Sequence, residues 1–204
     1  MEETVLRSAD PKPGKLVFVF HGYGADKNDL LPVGQEFSKA VSSAEVHLPN
    51  GPEKCGGWHG YQWFPLEGED VDGWKAAFEG GSHKVTSYVE SIMADRGLTY
   101  GDVIFSGFSQ GAILALNLGL RCGVAAAISF SGALFGFDPG WGTSTRVLLA
   151  HGRQDGVIEV SASLSAERLL KGAGVQVETD FRDNCGHGID SHMLSRAVDF
   201  LKSL

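Results

Sequence analysis

Short apolar runs that do not alternate with polar residues constrain this chain most. Leu16-Val17-Phe18-Val19-Phe20 is the clearest, and similar runs recur at Val46-His47-Leu48, Val103-Ile104-Phe105, Ala125-Ala126-Ala127-Ile128 and Val147-Leu148-Leu149-Ala150. A strand that shows one face to water alternates, whereas a strand covered by helices on both faces reads as a continuous apolar stretch. Between the runs lie helical stripes. Trp74, Ala77, Phe78, Val85, Tyr88, Val89 and Ile92 share one face, as do Ala162, Ala166, Leu169, Leu170 and Ala173. Strands alternating with helices predict an α/β chain built on a mostly parallel, doubly wound sheet. Val175 to Phe181 does alternate, which places that strand near a sheet edge. At 204 residues the chain is expected to form a single domain spanning 1–204.

One junction between run and helix is unusual. Gly107-Phe108-Ser109-Gln110-Gly111 separates Val103-Ile104-Phe105 from Ala112-Ile113-Leu114-Ala115-Leu116. In a chain with 28 glycines the G-x-S-x-G pattern alone is weak, and its setting after a strand and before a helix gives it meaning. Glycines on both sides let two backbones approach closely, so the serine hydroxyl is held above the sheet beside a helix amino end. The helix that follows is apolar almost all round, which puts this junction at the centre of the sheet. Such a nucleophile elbow predicts hydrolytic acyl transfer.

A serine hydroxyl needs a base to take its proton, and the base needs a carboxylate to fix its tautomer. His187, in Asn184-Cys185-Gly186-His187-Gly188, follows the alternating strand and precedes the last helical stripe, Met193, Ala197, Leu201 and Leu204. Asp155 follows the run Val147 to Ala150. Both therefore emerge at the carboxyl edge of the sheet, as Ser109 does. Asp183 and Asp190 are rival acids that equally suit turn or helix capping. The expected triad is Ser109, His187 and Asp155, with a rate rising with pH through roughly 6–7 as a histidine loses its proton. Two amides are expected to receive the developing oxyanion: that of Gln110 at the helix start, and that of Tyr23 in His21-Gly22-Tyr23-Gly24. His21 and His151 each open a loop beside this centre and are read as shaping it by hydrogen bonds. Ser131, with no glycine turn and helix behind it, is read as structural.

Composition narrows the partners. A formal net charge of −8 disfavours nucleic acid or an anionic membrane surface. The amino-terminal residues lack the apolar core of a signal peptide, and no apolar span of roughly 18 residues follows. Three widely spaced cysteines, Cys55, Cys122 and Cys185, suit a reducing compartment. The expectation is a cytoplasmic protein with no stable membrane association. The spacing of Cys185, His187 and His192 fits no zinc pattern, so no metal or cofactor is expected.

Taken together, these segments resemble the phospholipase/carboxylesterase family of α/β-hydrolases, over most of the chain. His21 to Asp26 looks like the family's oxyanion loop, Gly107 to Gly111 its elbow, and Gly186-His187-Gly188-Ile189 its histidine turn. Trp63-Phe64-Pro65-Leu66 resembles its Trp-Phe motif near the acyl site. The resemblance implies a cofactor-free serine hydrolase of the α/β-hydrolase fold, acting on a small-molecule carboxylic ester or thioester. This chain departs where Gly156 follows Asp155 and Arg153 precedes it, and its shortness implies a small lid.

Two glycine-rich loops carry many aromatics: Gly51 to Gly73, and Gly132 to Gly142 with Phe135, Phe137 and Trp141. They read either as an acyl groove over Ser109 or as a satellite core under long loops. Substrate contacts are assigned to Trp63, Phe64, Phe135, Trp141 and Val157. An exposed aromatic loop would serve a homodimer contact as well as a groove. The leading expectation is hydrolysis of short to medium acyl esters through an acyl-enzyme. Acyl-protein thioesterase or lysophospholipase activity is the near variant, and a non-catalytic small-molecule receptor on the same scaffold is the alternative of another class.

Overall fold

The computed structural model describes residues 1–8, 10–56, 59–66, 71–138, 140–141 and 143–204, the side chains of residues 71 and 72 apart. In chain order the elements are β1 (Glu3–Leu6), β2 (Lys15–Phe20), α1 (Leu31–Ala40), β3 (Ala44–Pro49), β4 (Glu53–Lys54), β5 (Tyr61–Gln62), α2 (Val71–Arg96), β6 (Val103–Phe108), α3 (Gln110–Cys122), β7 (Ala126–Phe130), β8 (Arg146–Gly152), α4 (Val160–Gly172), β9 (Val177–Arg182) and α5 (Ser191–Lys202). Seven strands make one sheet in the order β1-β3-β2-β6-β7-β8-β9, while β4 and β5 form a small separate hairpin. Every pairing in the large sheet is parallel except that of β1 with β3. This is the α/β-hydrolase arrangement.

The continuous apolar runs have their physical reason in two covered faces. Val17, Val19, Ile104, Ile128 and Leu148 meet Phe37 of α1 and Met193, Ala197 and Phe200 of α5. On the opposite face Phe18, Phe20 and Phe105 meet Phe78, Val85 and Val89 of α2 and Ile113, Leu114 and Leu118 of α3. Farther along that face, Val147 and Leu149 meet Leu116 and Leu120 of α3 and Ala166 and Leu170 of α4. Residues 110–120 of α3 are all buried, as an all-round apolar helix requires. β6, which carries α3, is fourth of the seven strands, and the alternating strand β9 is at the edge.

The other edge departs from the sequence reading, in which the charged amino terminus carried no element. β1 is four residues long and half-buried. Its polar Glu3 is held by His47 of β3 at 2.7 Å and by the Tyr88 hydroxyl of α2. Side-chain pairing to residues more than forty positions away gives no local signal, so this strand was not legible. Among the described residues, no helix is long and apolar enough to cross a membrane.

Candidate active site

Ser109 sits between β6 and α3 with φ 54° and ψ −118°, outside the regions an L-residue prefers. Crowding enforces that turn. A Cβ on Gly107 would lie 2.3 Å from the Gly111 carbonyl oxygen, and one on Gly111 would lie 2.1 Å from that of Phe20. Only glycine lets α3 start this close to β6 and β2. The Ser109 amide is tied to the Phe130 carbonyl at 3.0 Å, which fixes the turn to β7.

Three distant segments converge on this serine. His187 Nε2 lies 3.0 Å from Ser109 Oγ, and His187 Nδ1 lies 2.7 Å from Asp155 Oδ2. Asp155 has its other oxygen on the amides of Val157 and Ile158, each at 2.9 Å. Burial alone would raise the Asp155 pKa, but the hydrogen bonds from His187 and those two amides outweigh it and hold the carboxyl below its ordinary value. Because a carboxylate only accepts, Nδ1 of His187 carries the proton and Nε2 is left to accept from the serine hydroxyl.

The loops bearing Asp155 and His187 are stapled together by backbone. Gln154 N–H donates to Cys185 O at 3.0 Å and Arg153 N–H to Arg182 O at 2.8 Å. A Cβ on Gly152 would come within 2.4 Å of both the Cys185 and Gly186 oxygens, so this glycine is what admits the histidine loop. The departure at Gly156 leaves the loop intact, since its shape is held by the Asp155 carboxylate and nothing lies within 4 Å of the place a Cβ would take. The rival acids are engaged elsewhere. Asp183 pairs with Arg153, and Asp190 caps α5 through the Met193 amide.

The loop after β2 is braced in the same way. His21 Nε2 accepts from the Gly51 amide at 3.0 Å and its Nδ1 donates to Gly22 O at 2.7 Å, a pattern that needs the neutral ring. Burial pushes the His21 pKa down, in agreement. The Trp63 indole donates to His21 O at 2.8 Å. The Gly24 and Ala25 amides are spent on Tyr61 O and Gly22 O, while no backbone carbonyl among the described residues takes that of Tyr23. The Gln110 side chain accepts from the Trp63 amide and donates to Phe64 O, locking this wall to the start of α3.

A cleft of about 340 Å³ opens over Ser109, lined by Gly22, Tyr23, Leu66, Trp74, Phe108, Gln110, Ile113, Val157, Ile158 and His187. Of the assigned substrate contacts, it contains Val157 alone. Trp63 and Phe64 are buried beneath it, packed in the core against Phe20 and Phe78. Phe135 and Trp141 line a separate cleft of about 470 Å³ beside α2 and α3, with Arg121 stacked over Phe78 and Trp141. The structure does not bring these four to the cleft over Ser109: aromatic content marks burial but not which cavity a ring faces. Phe108, Ile113, Ile158, Leu66 and Trp74 line that cleft without having been singled out from the sequence. Phe108 precedes the serine and its ring packs on His187 at 4.7 Å, so adjacency to the elbow was an available signal. Of the loop from Gly51 to Gly73, residues 57, 58 and 67–70 lie outside the described residues.

Two further serines deserve a place beside this geometry. Ser131 also has φ 54°, and its amide donates to Ala150 O at 2.9 Å. Its hydroxyl, like that of Ser129, is buried with no hydrogen-bond partner among the described residues.

The chain is 29% identical to "Esterase YpfH" of Escherichia coli (strain K12) over 200 residues, covering 97% of this chain and 86% of that one. It is 24% identical to "Acyl-protein thioesterase 1" of Neurospora crassa, covering 91% of this chain and 84% of that one. The crystal structure of esterase PE8 superposes with a TM-score of 0.89 at 32% identity, covering 98% of this chain and 97% of that one. That of the Bacillus cereus carboxylesterase gives 0.83 at 17% identity, covering 100% and 94%, a likeness of fold alone. A model of the phospholipase/carboxylesterase family matches residues 1–204, and the chain therefore belongs to that family of α/β-hydrolases.

Proposed function

We propose that this chain is a serine hydrolase that cleaves short to medium acyl esters through an acyl-enzyme. The observation that carries the reading is the unbroken line from Asp155 Oδ2 to His187 Nδ1 at 2.7 Å and from His187 Nε2 to Ser109 Oγ at 3.0 Å, opening into an apolar cleft. Ser109 Oγ attacks the acyl carbon as its proton passes to His187 Nε2, and Asp155 stabilises the imidazolium. The amides of Gln110 and Tyr23 receive the oxyanion. The imidazolium then protonates the leaving group, and a water activated by the same nitrogen releases the acid. The cleft of about 340 Å³ is at the small end for ligand pockets, which supports short to medium chains.

Thioesters and lysophospholipids are the near variant, because sulfur or oxygen leaves from the same tetrahedral centre and one relative is named for thioester cleavage. The partner is a small molecule, and the net charge of −8 argues against nucleic acid and anionic membranes. A cytoplasmic setting accords with three free cysteines. Ser109→Ala is expected to lower kcat/KM for p-nitrophenyl butyrate by at least about 10³-fold and to abolish labelling by a fluorophosphonate probe. A wild-type chain that binds such esters yet neither turns over nor labels would instead be a receptor.

A further inference from the structure

A second imidazole reaches the same carboxylate. His151, on β8 and fully buried, has Nε2 3.2 Å from Asp155 Oδ2 and 2.8 Å from Ile158 O, while its Nδ1 lies 2.7 Å from Ser163 Oγ of α4. A carbonyl and a carboxylate only accept, so Nε2 carries the proton and Nδ1 accepts from the Ser163 hydroxyl. Burial also lowers the His151 pKa, which keeps the ring neutral. Oδ1 is held by two amides, and Oδ2 is held by His187 and bordered by the His151 ring nitrogen at 3.2 Å. The loop alone would be served by the bonds to Ile158 and Ser163. The close approach of Nε2 to Oδ2 bears on the triad.

We infer that His151 is a positioning residue, which aims Asp155 Oδ2 at His187 and takes up part of that oxygen's charge. This rests on the serine-hydrolase reading. The titratable groups facing the cluster are Asp155, His187 and Cys185 from the loop before α5, and α4 presents the Ser163 hydroxyl. A carboxylate that faces a second ring attracts the charge formed on His187 less strongly, so losing that ring is expected to move the acid limb of the rate profile upward.

The test compares kcat, KM and the pH profile of kcat/KM on p-nitrophenyl butyrate for wild type, His151→Leu, His151→Gln, Ser163→Ala and Ser109→Ala. The leucine variant is expected to lose about tenfold in kcat at unchanged KM, with the acid limb moved up by about half a pH unit. Glutamine, which keeps an N–H at the Nε2 position, restores both. Ser163→Ala, which weakens the donor by removing its polarising partner, shifts the limb in the same direction by less. An unmoved limb in the folded leucine variant, or glutamine and leucine equally impaired with the limb unmoved, overturns the assignment. Should the leucine variant not fold, an unmoved limb in Ser163→Ala overturns it equally. An active Ser109→Ala would remove the underlying reading instead, whereas an inactive one beside an unmoved limb removes only the role of His151.

Discussion

Asp155 is more tightly specified than the serine it supports. Its Oδ1 faces two backbone N–H groups, so an asparagine there must turn its carbonyl to them and its amide toward His187. That amide would meet the N–H groups of both histidines, and His187 would take the other tautomer, with a proton toward Ser109. Asp155→Asn is therefore expected to cost about 10⁴-fold in kcat, measured on a simple ester, with the fold retained. The depressed Asp155 pKa carries a stability consequence. A carboxyl whose folded value lies below its unfolded value of about 3.9 stabilises the fold above that pH, and the contribution disappears as pH falls through the folded value. The difference in urea midpoint between wild type and Asp155→Asn should accordingly shrink below about pH 4; a constant gap would contradict the shift.

Glycines separate packing demands from mere permissiveness in the elements that carry the site. Gly111, in the first turn of α3, has the Phe20 carbonyl where a Cβ would go, 2.1 Å away, and backbone cannot yield as a side chain tip can. Gly111→Ala is expected to destabilise by about 3 kcal/mol or more, read as a lowered thermal midpoint or loss of folded protein. Gly80, exposed within α2, has nothing within 4 Å of its Cβ position. Gly80→Ala should raise stability by about 0.5–1 kcal/mol through helix propensity, and no change in activity is expected. In the sequence Gly111 belongs to the elbow, whereas Gly80 is one glycine inside a helical stretch. What makes only the first intolerant of a Cβ is the backbone of β2 packed against it.

Across the whole molecule, the proposed function puts substrate choice in a cleft assembled from segments far apart in the chain. Ile113 of α3 borders it, and on the proposed reading its volume limits what an acyl chain could occupy. Ile113→Phe is expected to lower kcat/KM for the p-nitrophenyl octanoate relative to the acetate by about tenfold or more, since excess volume in a packed site is poorly absorbed. Equal losses on both esters would place the acyl chain elsewhere. The larger cleft beside Phe135 and Trp141 holds neither Ser109 nor His187, so size alone is a poor guide to the chemistry.

The covered strands, the central buried helix, the elbow and the two partner loops could all be read from the chain, because each is encoded locally: apolar runs mark strands buried on both faces, and glycines mark places where backbones touch. Asp155 and His187 were legible for the same reason, each following a recognisable strand toward one sheet edge. The strand β1, the second imidazole on Asp155 and the identity of the groove residues were not. They depend on which side chains from distant segments share a few ångströms, on Glu3 finding His47, His151 finding Asp155, and Trp63 turning down into the core. Sequence periodicity records how much of a residue is buried, whereas the partner it is buried against is settled only when the sheet order brings the segments together.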